Sequence, residues 1–366
     1  MSDKLPFFTK HLGKIHVSLQ TLIGYPINLN YNYAELSPFF HLFLNNVGDP
    51  FSETKHHLST HLFERKIINF LAKLLNLSKT DRWGYITNGG TEGNMYGIFM
   101  GRELYPDGIL YFSQDTHYSI TKIARILHMS YEIIPSLENG EIDYAQFEKR
   151  IRTQKNKPVI VCANYGTTMK GAIDNTDKII SLLEKNNIQK FYIHIDAALF
   201  GMILPFIKGA PHIDLSKQIG SVAISGYKFL GIPFPTGIVL TKKQFVKQIE
   251  RKIEYVGALD TTISGSRNGH GPLLIWYAIQ ERDMKEEAKT CLLNAHYLNS
   301  CLEKLSYNSH LNPYSNIVWF KKPPQHVIQK WHLATQGDFA HIVVLQHVTK
   351  EKIDEFLKDI NKKNKS

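Results

Sequence analysis

Cysteine is scarce in this sequence, which has three in 366 residues: Cys162, Cys291 and Cys301. Their odd number and their spacing argue against a disulfide-stapled fold and against a cysteine-ligated metal site, and we expect no metal. No run of about 18 apolar residues is present, so we expect no membrane-spanning helix. The first ten residues also lack the apolar stretch of a secretory signal. These absences predict a cytoplasmic protein with reduced thiols.

Basic residues outnumber acidic ones and give a formal net charge of +10. No nucleic-acid-binding motif interleaves them with aromatic residues, however, and Lys and Arg are mostly mixed with Glu and Asp. The densest basic run, Lys358–Lys365, has the pattern of a solvated tail after the last predicted helix. We therefore expect neither a nucleic-acid partner nor a membrane partner.

Short apolar runs alternate with helical patterns through the middle of the chain. Six runs have the length and composition of buried strands: 83–87, 109–113, 158–162, 191–195, 220–225 and 237–241. Helical spacing predicts helices over 53–76 and 117–128, and a capping pattern predicts another that begins at Asp143. Buried strands that alternate with helices predict an α/β fold with a mostly parallel, doubly wound sheet.

The two ends of the chain differ from this middle part. The first 50 residues carry turn signals and are predicted to be irregular. The last part of the chain predicts a smaller α+β unit from two long helical stretches, two strands and a final helix: 271–306, 316–320, 341–345 and about 350–361. The length of the chain suits more than one unit. We divide it into an N-terminal segment, a large domain and a small domain: 1–50, 51–270 and 271–366.

In open α/β sheets, ligands bind at the carboxyl ends of the strands, so the residues after each predicted strand are candidates for function. Gly90 and Thr91 follow the first strand and precede a helix, where bare N–H groups and the helix dipole favour an anion. Glycines in this position also occur in ordinary tight turns, and the pattern is neither a Walker loop nor a GxGxxG fingerprint. Gly90 and Thr91 are thus candidate phosphate-binding residues.

Two further strand ends carry side chains suited to a flat, ionisable ring. His117 follows the second strand and is either a capping residue or a flat surface that stacks on an aromatic cofactor. Asp196 follows the strand at 191–195, and a carboxylate among apolar residues needs a partner. That partner is either a structural cation or the protonated nitrogen of a flat ring. In the second case Ala198 would place a small methyl group under the ring.

Lys228 follows the strand at 220–225, in the stretch SGYKFLG. Burial among such neighbours lowers the pKa of a lysine, as an amine that forms an imine requires. Successive strand ends therefore supply a phosphate cup, a stacking residue, an anion and an amine. This combination matches pyridoxal-5′-phosphate (PLP) better than any other cofactor.

The stretches WGYITNGGTEGN, GRELYPDG, THYS, GEIDY, HIDAALFGMILPF, SGYKFLG and GSRNGH resemble the PLP-dependent histidine decarboxylases of bacteria. They resemble almost as closely the plant serine decarboxylases of the same family. The likeness extends from about Gly24 to about Leu357. It implies the aspartate-aminotransferase fold, fold type I of PLP enzymes. It also implies a homodimer or homotetramer with active sites at the subunit interfaces.

The same resemblance implies roles for individual residues. Lys228 is expected to form the Schiff base with PLP, Asp196 to pair with the ring nitrogen, and His117 to cover the ring and border the substrate. The other cofactor-binding residues are expected near the phosphate: Gly90, Thr91, Ser225 and Tyr227.

Three positions depart from the family pattern. The residue before the Schiff-base lysine is usually His, and here it is Tyr227, which can donate a hydrogen bond but carries no positive charge near neutral pH. We therefore expect weaker cofactor binding or an altered pH dependence. Thr236 stands where relatives commonly have Cys, and Tyr165 where an apolar residue is commoner. The sequence indicates no role for either.

The expected reaction is decarboxylation of a small amino acid. L-Histidine, giving histamine, is the first choice and L-serine, giving ethanolamine, is the alternative, because a few pocket side chains decide such preferences. The stretches GDPF, HIDAALFG and WHLATQGDFAH favour the serine branch, and NGGTEGN, DAA and GMILPF favour the histidine branch. An aminotransferase is another interpretation, since a fold does not determine a reaction. A cofactor-free paralogue is a third, and it rests on Tyr227 alone.

Overall fold

The computed structural model describes residues 6–52, 57–254 and 257–362. The strands are, in chain order, β1 (Asn45–Val47), β2 (Arg82–Thr87), β3 (Ile109–Ser113), β4 (Tyr131–Ile134), β5 (Val159–Asn164), β6 (Phe191–Asp196), β7 (Ser221–Ser225), β8 (Gly237–Lys242), β9 (Arg251–Ile253), β10 (Ala258–Asp260), β11 (Ser266–Asn268), β12 (His310–Leu311), β13 (Ile317–Lys321), β14 (Ala334–Gln336) and β15 (Phe339–Val343). Seven of them form one large sheet in the order β2-β8-β7-β6-β5-β3-β4.

The large sheet confirms the predicted α/β fold. Neighbouring strands are parallel except β8, which is antiparallel to both β2 and β7. All six predicted strands are present, with ends that differ from the prediction by at most two residues. The edge strand β4 was not predicted, because its short sequence YEII is partly exposed and lacks the continuous apolar run of a buried strand.

The α-helices surround this sheet and connect it to the rest of the chain. They are α1 (Pro6–Leu19), α2 (His61–Leu74), α3 (Gly90–Leu104), α4 (Ser119–Ile126), α5 (Tyr144–Thr153), α6 (Thr176–Lys185), α7 (Lys243–Val246), α8 (His270–Glu281), α9 (Met284–Lys304), α10 (Gln325–Lys330) and α11 (Lys350–Asn361). Asp143 caps α5 as predicted, because its carboxylate accepts hydrogen bonds from the N–H groups of Ala145 and Gln146. In the described part of the chain, no helix has the length and apolar character needed to cross a membrane.

Two predictions about the N-terminal region are wrong. The first 50 residues are not irregular throughout, since they contain α1 and a 3-10 helix at Ala34–His41. The helix predicted over 53–76 begins only at His61, and residues 53–56 lie outside the described residues. Tertiary contacts set this start, because the hydroxyl of Thr60 donates to the carbonyl of Gly269 and its N–H donates to the side chain of Asn46. The local helical pattern does not indicate such partners, because they are distant in the sequence.

The C-terminal part of the chain contains a second, smaller sheet in the order β12-β13-β15-β14, in which all neighbours are antiparallel. Its core includes Phe320, Trp331 and Phe356, and it packs against α9 and α11. The predicted α+β arrangement is therefore present, while the domain limits at 50 and 270 stay predictions. The basic run at 358–365 begins in α11, and its residues 363–365 lie outside the described residues.

Helix α3 packs on the large sheet through a row of glycines. Gly93, Gly97 and Gly101 recur every four residues and face side chains of the central strands. A Cβ at position 97 would lie 2.1 Å from Nδ1 of His194 and 2.7 Å from Oγ of Ser221. This close packing holds the N-terminus of α3 beside the carboxyl ends of β6 and β7.

We expect Gly97→Ala to lower the free energy of unfolding by about 1–3 kcal/mol, because the added methyl group overlaps the buried ring of His194. Chemical denaturation of the purified variant measures the change. Gly13→Ala is the matched control, since Gly13 lies in α1 and faces open space, so that alanine there should be neutral or slightly stabilising. Equal stability of the two variants would contradict tight packing of α3 on the sheet.

Candidate active site

The carboxyl ends of the parallel strands meet at one cavity. It is lined by residues that end or follow β2, β3, β5, β6 and β7: Gly90, Thr91, Asn94, His117, Asn164, Gly166, Thr167, Thr168, Asp196, Ala198, Ser225, Tyr227 and Lys228. All eight site residues proposed from the sequence are in this set. The structure thus brings together side chains that are up to 138 positions apart, counted from Gly90 to Lys228.

Asp196 is the last residue of β6 and is only 8% exposed. Its Oδ2 accepts a hydrogen bond from Nδ2 of Asn94 at 2.7 Å, and its Oδ1 accepts one from the N–H of Ala198 at 3.1 Å. Both donors are neutral, so neither cancels the charge of the carboxylate. Because Asp196 also lines the cavity, this negative charge is available to a cationic group bound there.

Lys228 lies three residues after the end of β7 and lines the same cavity. Desolvation by the surrounding protein lowers the pKa of its amine, and the nearby charge of Asp196 partly offsets this effect. The N-terminal segment holds the backbone here, since the N–H of Asn28 donates to the carbonyl of Lys228 and its Nδ2 donates to that of Phe229. A partly desolvated amine on a fixed backbone is suited to nucleophilic attack on an aldehyde.

His117 lies between β3 and α4 and is partly buried at the cavity. Its Nδ1 is 2.7 Å from Oγ of Ser119, and its ring lies against that of Tyr118 with the centroids 4.3 Å apart. Burial lowers the pKa of His117, Asp196 raises it and Lys228 lowers it further. The balance favours a neutral imidazole, which presents a flat surface to the cavity.

The part of the cavity around Gly90 and Ser225 is suited to an anion. Oγ of Ser225 is buried and has no hydrogen-bond partner of ordinary geometry. It faces Gly90, where a Cβ would come within 2.5 Å of it, so that glycine alone fits between the start of α3 and this hydroxyl. Thr91 is exposed in the first turn of α3, where backbone N–H groups have no partner within the helix. A buried hydroxyl beside N–H groups that lack a partner within the helix fits a phosphate.

The three positions that depart from the family pattern have different surroundings. Tyr227 lines the cavity, and burial raises the pKa of its hydroxyl, so that the side chain stays neutral. Oγ1 of Thr236 is buried without a hydrogen-bond partner and packs against Gly226, next to the site. Tyr165 does not line the cavity; its hydroxyl is 3.1 Å from Oγ1 of Thr176 within the core.

Several cavity residues were not among the sequence candidates. Asn94 lies one helical turn after Gly90 and therefore faces the same side of α3. Asn164 ends β5, pairs in register with Asp196, and is held by the carboxylate of Asp174. The rule that ligands lie at carboxyl ends of strands also points to Asn164 and Thr167, because they end and follow the buried strand β5.

The residues present fit PLP. The cavity holds an amine with a lowered pKa, a buried carboxylate free of a cationic hydrogen-bond donor, a neutral imidazole and an anion-binding end. These are the partners that the aldehyde, ring nitrogen, ring and phosphate of PLP require. The fold and the cavity together define a PLP-dependent enzyme of fold type I.

Comparison with known proteins identifies the family. The model of the pyridoxal-dependent decarboxylase conserved domain matches residues 51–311. Serine decarboxylase 2 of Oryza sativa subsp. japonica is 42% identical over 348 residues, which cover 94% of this chain and 74% of that protein. Histidine decarboxylase of Solanum lycopersicum is 42% identical over 360 residues, which cover 96% and 87%. The chain therefore belongs to the pyridoxal-dependent decarboxylase family and is a PLP-dependent amino-acid decarboxylase, a carboxy-lyase.

A solved structure shares the whole fold. L-Methionine decarboxylase from Streptomyces sp. 590 superposes with a TM-score of 0.90 at 23% sequence identity, covering 98% of this chain and 95% of that one. At this identity the likeness establishes the fold alone. The predicted fold class, family, cofactor and reaction class are confirmed.

Proposed function

We propose that this enzyme converts L-histidine into histamine and CO₂, with PLP attached to Lys228. The convergence of Lys228, Asp196 and His117 on one cavity carries the assignment of the site. When bound, PLP supplies an electron sink for the bond that breaks at the amino-acid carboxylate. The protein must hold the cofactor, keep its ring nitrogen charged, and manage the protons.

Each proposed role follows from the local environment. The lowered pKa of Lys228 keeps a fraction of its amine neutral and able to bind the aldehyde of the cofactor. The buried charge of Asp196 would hold a proton on the ring nitrogen, and such fixed electrostatic stabilisation is often the largest catalytic contribution. His117 would present its flat side chain to the ring and border the substrate. We assign the proton that Cα receives to Lys228, because a lowered pKa makes its ammonium a stronger acid. His117 and a tyrosine of a neighbouring subunit are the alternatives.

The phosphate-binding role is assigned to the part of the cavity around Gly90, Thr91 and Ser225. We place the phosphate against the N-terminus of α3 at Gly90 and Thr91, with the buried hydroxyl of Ser225 as a donor. Ala198, whose N–H donates to Oδ1 of Asp196, would present its small methyl group to the ring. Tyr227 lines the same cavity and is assigned to the phosphate end.

The first choice of substrate rests on the stretches NGGTEGN and GMILPF, which resemble the histidine branch. It also rests on relatives named histidine decarboxylase, such as that of Solanum lycopersicum, which is 42% identical to this chain. L-Serine is the second candidate, because a relative named serine decarboxylase is 42% identical to this chain.

The decisive experiment incubates the PLP-loaded protein separately with L-histidine, L-serine and an aromatic amino acid and quantifies amine and CO₂. Histamine as the main product would support the proposal. Ethanolamine without histamine would replace it by serine decarboxylation. No amine from any substrate would contradict the decarboxylase assignment of this chain.

We further propose that the enzyme is a homodimer or homotetramer that acts in the cytoplasm. Large apolar side chains are exposed in the N-terminal 62 residues, among them Phe8, Leu12, Phe40 and Phe43, and association with a second copy would cover them. The three cysteines are all unpaired, as suits a reducing compartment. Sedimentation analysis of the holoenzyme tests the assembly, and a monomer at micromolar concentration would contradict it.

Replacement of Tyr227 by the usual family residue should strengthen cofactor binding. We expect Tyr227→His to lower the Kd for PLP about tenfold, because a protonated imidazole would offer the phosphate a charged hydrogen bond that the neutral tyrosine lacks. Equilibrium dialysis measures the change, and Tyr131→His, on the edge strand β4, is the matched control. An unchanged Kd would show that Tyr227 does not contact the phosphate.

A further inference from the structure

A line of neutral hydrogen bonds leads from Asp196 away from the cavity and into the core. Asn94 bonds to Oδ2 of Asp196 at 2.7 Å, and Oδ1 of Asn94 is 2.9 Å from Nε2 of His194. Nδ1 of His194 is 2.8 Å from Oγ of Ser221, which accepts a hydrogen bond from the hydroxyl of Tyr192 at 2.8 Å. The four residues behind Asp196 form a continuous relay, here called the Asn94–Tyr192 relay.

The carboxylate determines the direction of every bond in this relay. Because a carboxylate only accepts hydrogen bonds, Asn94 must present its NH₂ group to Asp196 and its carbonyl oxygen to His194. His194 must then carry its proton on Nε2, and its bare Nδ1 accepts from the hydroxyl of Ser221. The relay therefore allows one tautomer of His194 and one orientation of the Asn94 amide. With these, every hydrogen-bond donor between Asp196 and Ser221 meets an acceptor.

The relay is buried and carries no charge. His194 and Ser221 are 0% exposed, and Asn94 and Tyr192 are each 2% exposed. Burial lowers the pKa of His194 to about 4, although the charge of Asp196 acts in the opposite direction. A cationic histidine would draw the negative charge of Asp196 towards itself. A neutral one orients Asn94 while it leaves that charge to the cavity.

The glycine row of α3 makes room for the relay. A Cβ at Gly97 would meet His194 and Ser221, and Cβ atoms at Gly101 and Gly220 would lie 2.8 Å and 2.2 Å from the ring of Tyr192. Three glycines are thus placed against the relay side chains. The helix that begins at the proposed phosphate site also contributes Asn94, so the same packing positions both.

We propose that His194 is a positioning residue, which fixes Asn94 so that the carboxylate of Asp196 is held in line for the ring nitrogen of the cofactor. This inference rests on the proposed role of Asp196. His194 lies two residues before Asp196 on β6, so the two side chains project from the same face of the sheet. It does not line the cavity and acts only through Asn94.

The test compares two substitutions at His194 with the same two at a histidine elsewhere. His194→Leu removes the donor to Asn94, whereas His194→Gln can replace the Nε2–H donor with its side-chain amide. His341 is the matched control, because it is also buried, has a pKa lowered by burial, and bridges two backbone carbonyls, those of Met169 and Gly24. Each variant is assayed for its Kd for PLP, the absorbance of the bound cofactor, kcat and thermal stability.

We expect His194→Leu to raise the Kd for PLP about tenfold, to change the absorbance spectrum of the bound cofactor and to lower kcat more than it raises KM. His194→Gln should restore most of each property. His341→Leu should lower thermal stability but leave the Kd and the spectrum as in the wild type. If His194→Leu folds poorly, Ser221→Ala, which removes the donor to Nδ1 of His194, should change the same properties in the same direction but less.

Two outcomes separate this inference from the proposed function. If His194→Leu behaves as His341→Leu does, with lower stability but an unchanged Kd and spectrum, the relay has only a structural role and the inference is wrong. If Asp196→Asn also leaves PLP binding and the spectrum unchanged, the proposed role of Asp196 is wrong, and the inference about His194 loses its basis. If Asp196→Asn loses PLP binding while His194→Leu leaves the Kd and the spectrum unchanged, the proposed role of Asp196 stands and only the positioning role of His194 is wrong.

Discussion

Lys228→Ala should reduce kcat at least about 1,000-fold, because the amine that we propose to hold the cofactor and to carry protons at Cα is removed. The wild-type protein, treated with borohydride in the presence of PLP, should gain the mass of one reduced cofactor on the peptide that contains Lys228. The variant should gain none. Mass spectrometry of the digested protein and an assay of CO₂ release measure the two effects.

Lys242→Ala is the matched control for this experiment. Lys242 ends β8, its pKa is also lowered by burial, and its amine donates to the carbonyl of Lys217 away from the cavity. We expect this variant to retain labelling and near-normal turnover. Substantial activity in Lys228→Ala, or labelling on another lysine, would refute the assignment of the site.

Asp196→Asn should lower kcat about 100- to 1,000-fold, the range that loss of one preorganised electrostatic group typically costs. The variant keeps the shape of the side chain but removes the buried charge that we assign to the ring nitrogen. It also replaces one accepting carboxylate oxygen by a donating NH₂ group, which disturbs the hydrogen bonds from Asn94 and Ala198. Steady-state kinetics of the PLP-saturated variant measure the loss.

Asp49→Asn tests whether any buried aspartate would produce the same result. Asp49 is 4% exposed and accepts hydrogen bonds from Trp83 and Thr261, outside the cavity. We expect it to lower thermal stability while the kcat of the folded fraction changes by less than about threefold. If the two variants lose equal activity per folded molecule, the effect of Asp196 is one of stability and its proposed electrostatic role is wrong.

Much of the candidate site could be predicted because it follows the strands. Gly90, His117, Asp196 and Lys228 each come within a few residues of the end of a buried strand, and parallel strands bring such ends to one edge. Periodicity found those strands, since each is a short and continuous apolar run. The edge strand β4 was missed for the opposite reason, as its residues are half-exposed and mixed in character.

The N-terminal region shows where local patterns were insufficient. The turn signals in the first 50 residues did not indicate α1, whose apolar side chains are exposed in the single chain. Nor did they indicate that Asn28 would hold the backbone at Lys228, 200 residues later in the chain. Hydrogen bonds between residues so far apart in the sequence depend on the final packing and produce no local periodicity.

The sequence by itself determined the α/β architecture, the cofactor and the set of strand-end residues, because alternating strands and helices allow few arrangements and these place successive strand ends together. Only the tertiary structure decided how Asp196 is held. The relay through Asn94, His194 and Ser221 joins α3 to β6 and β7 across a row of glycines. Its existence depends on the distance between a helix and a sheet, and close packing in three dimensions sets that distance.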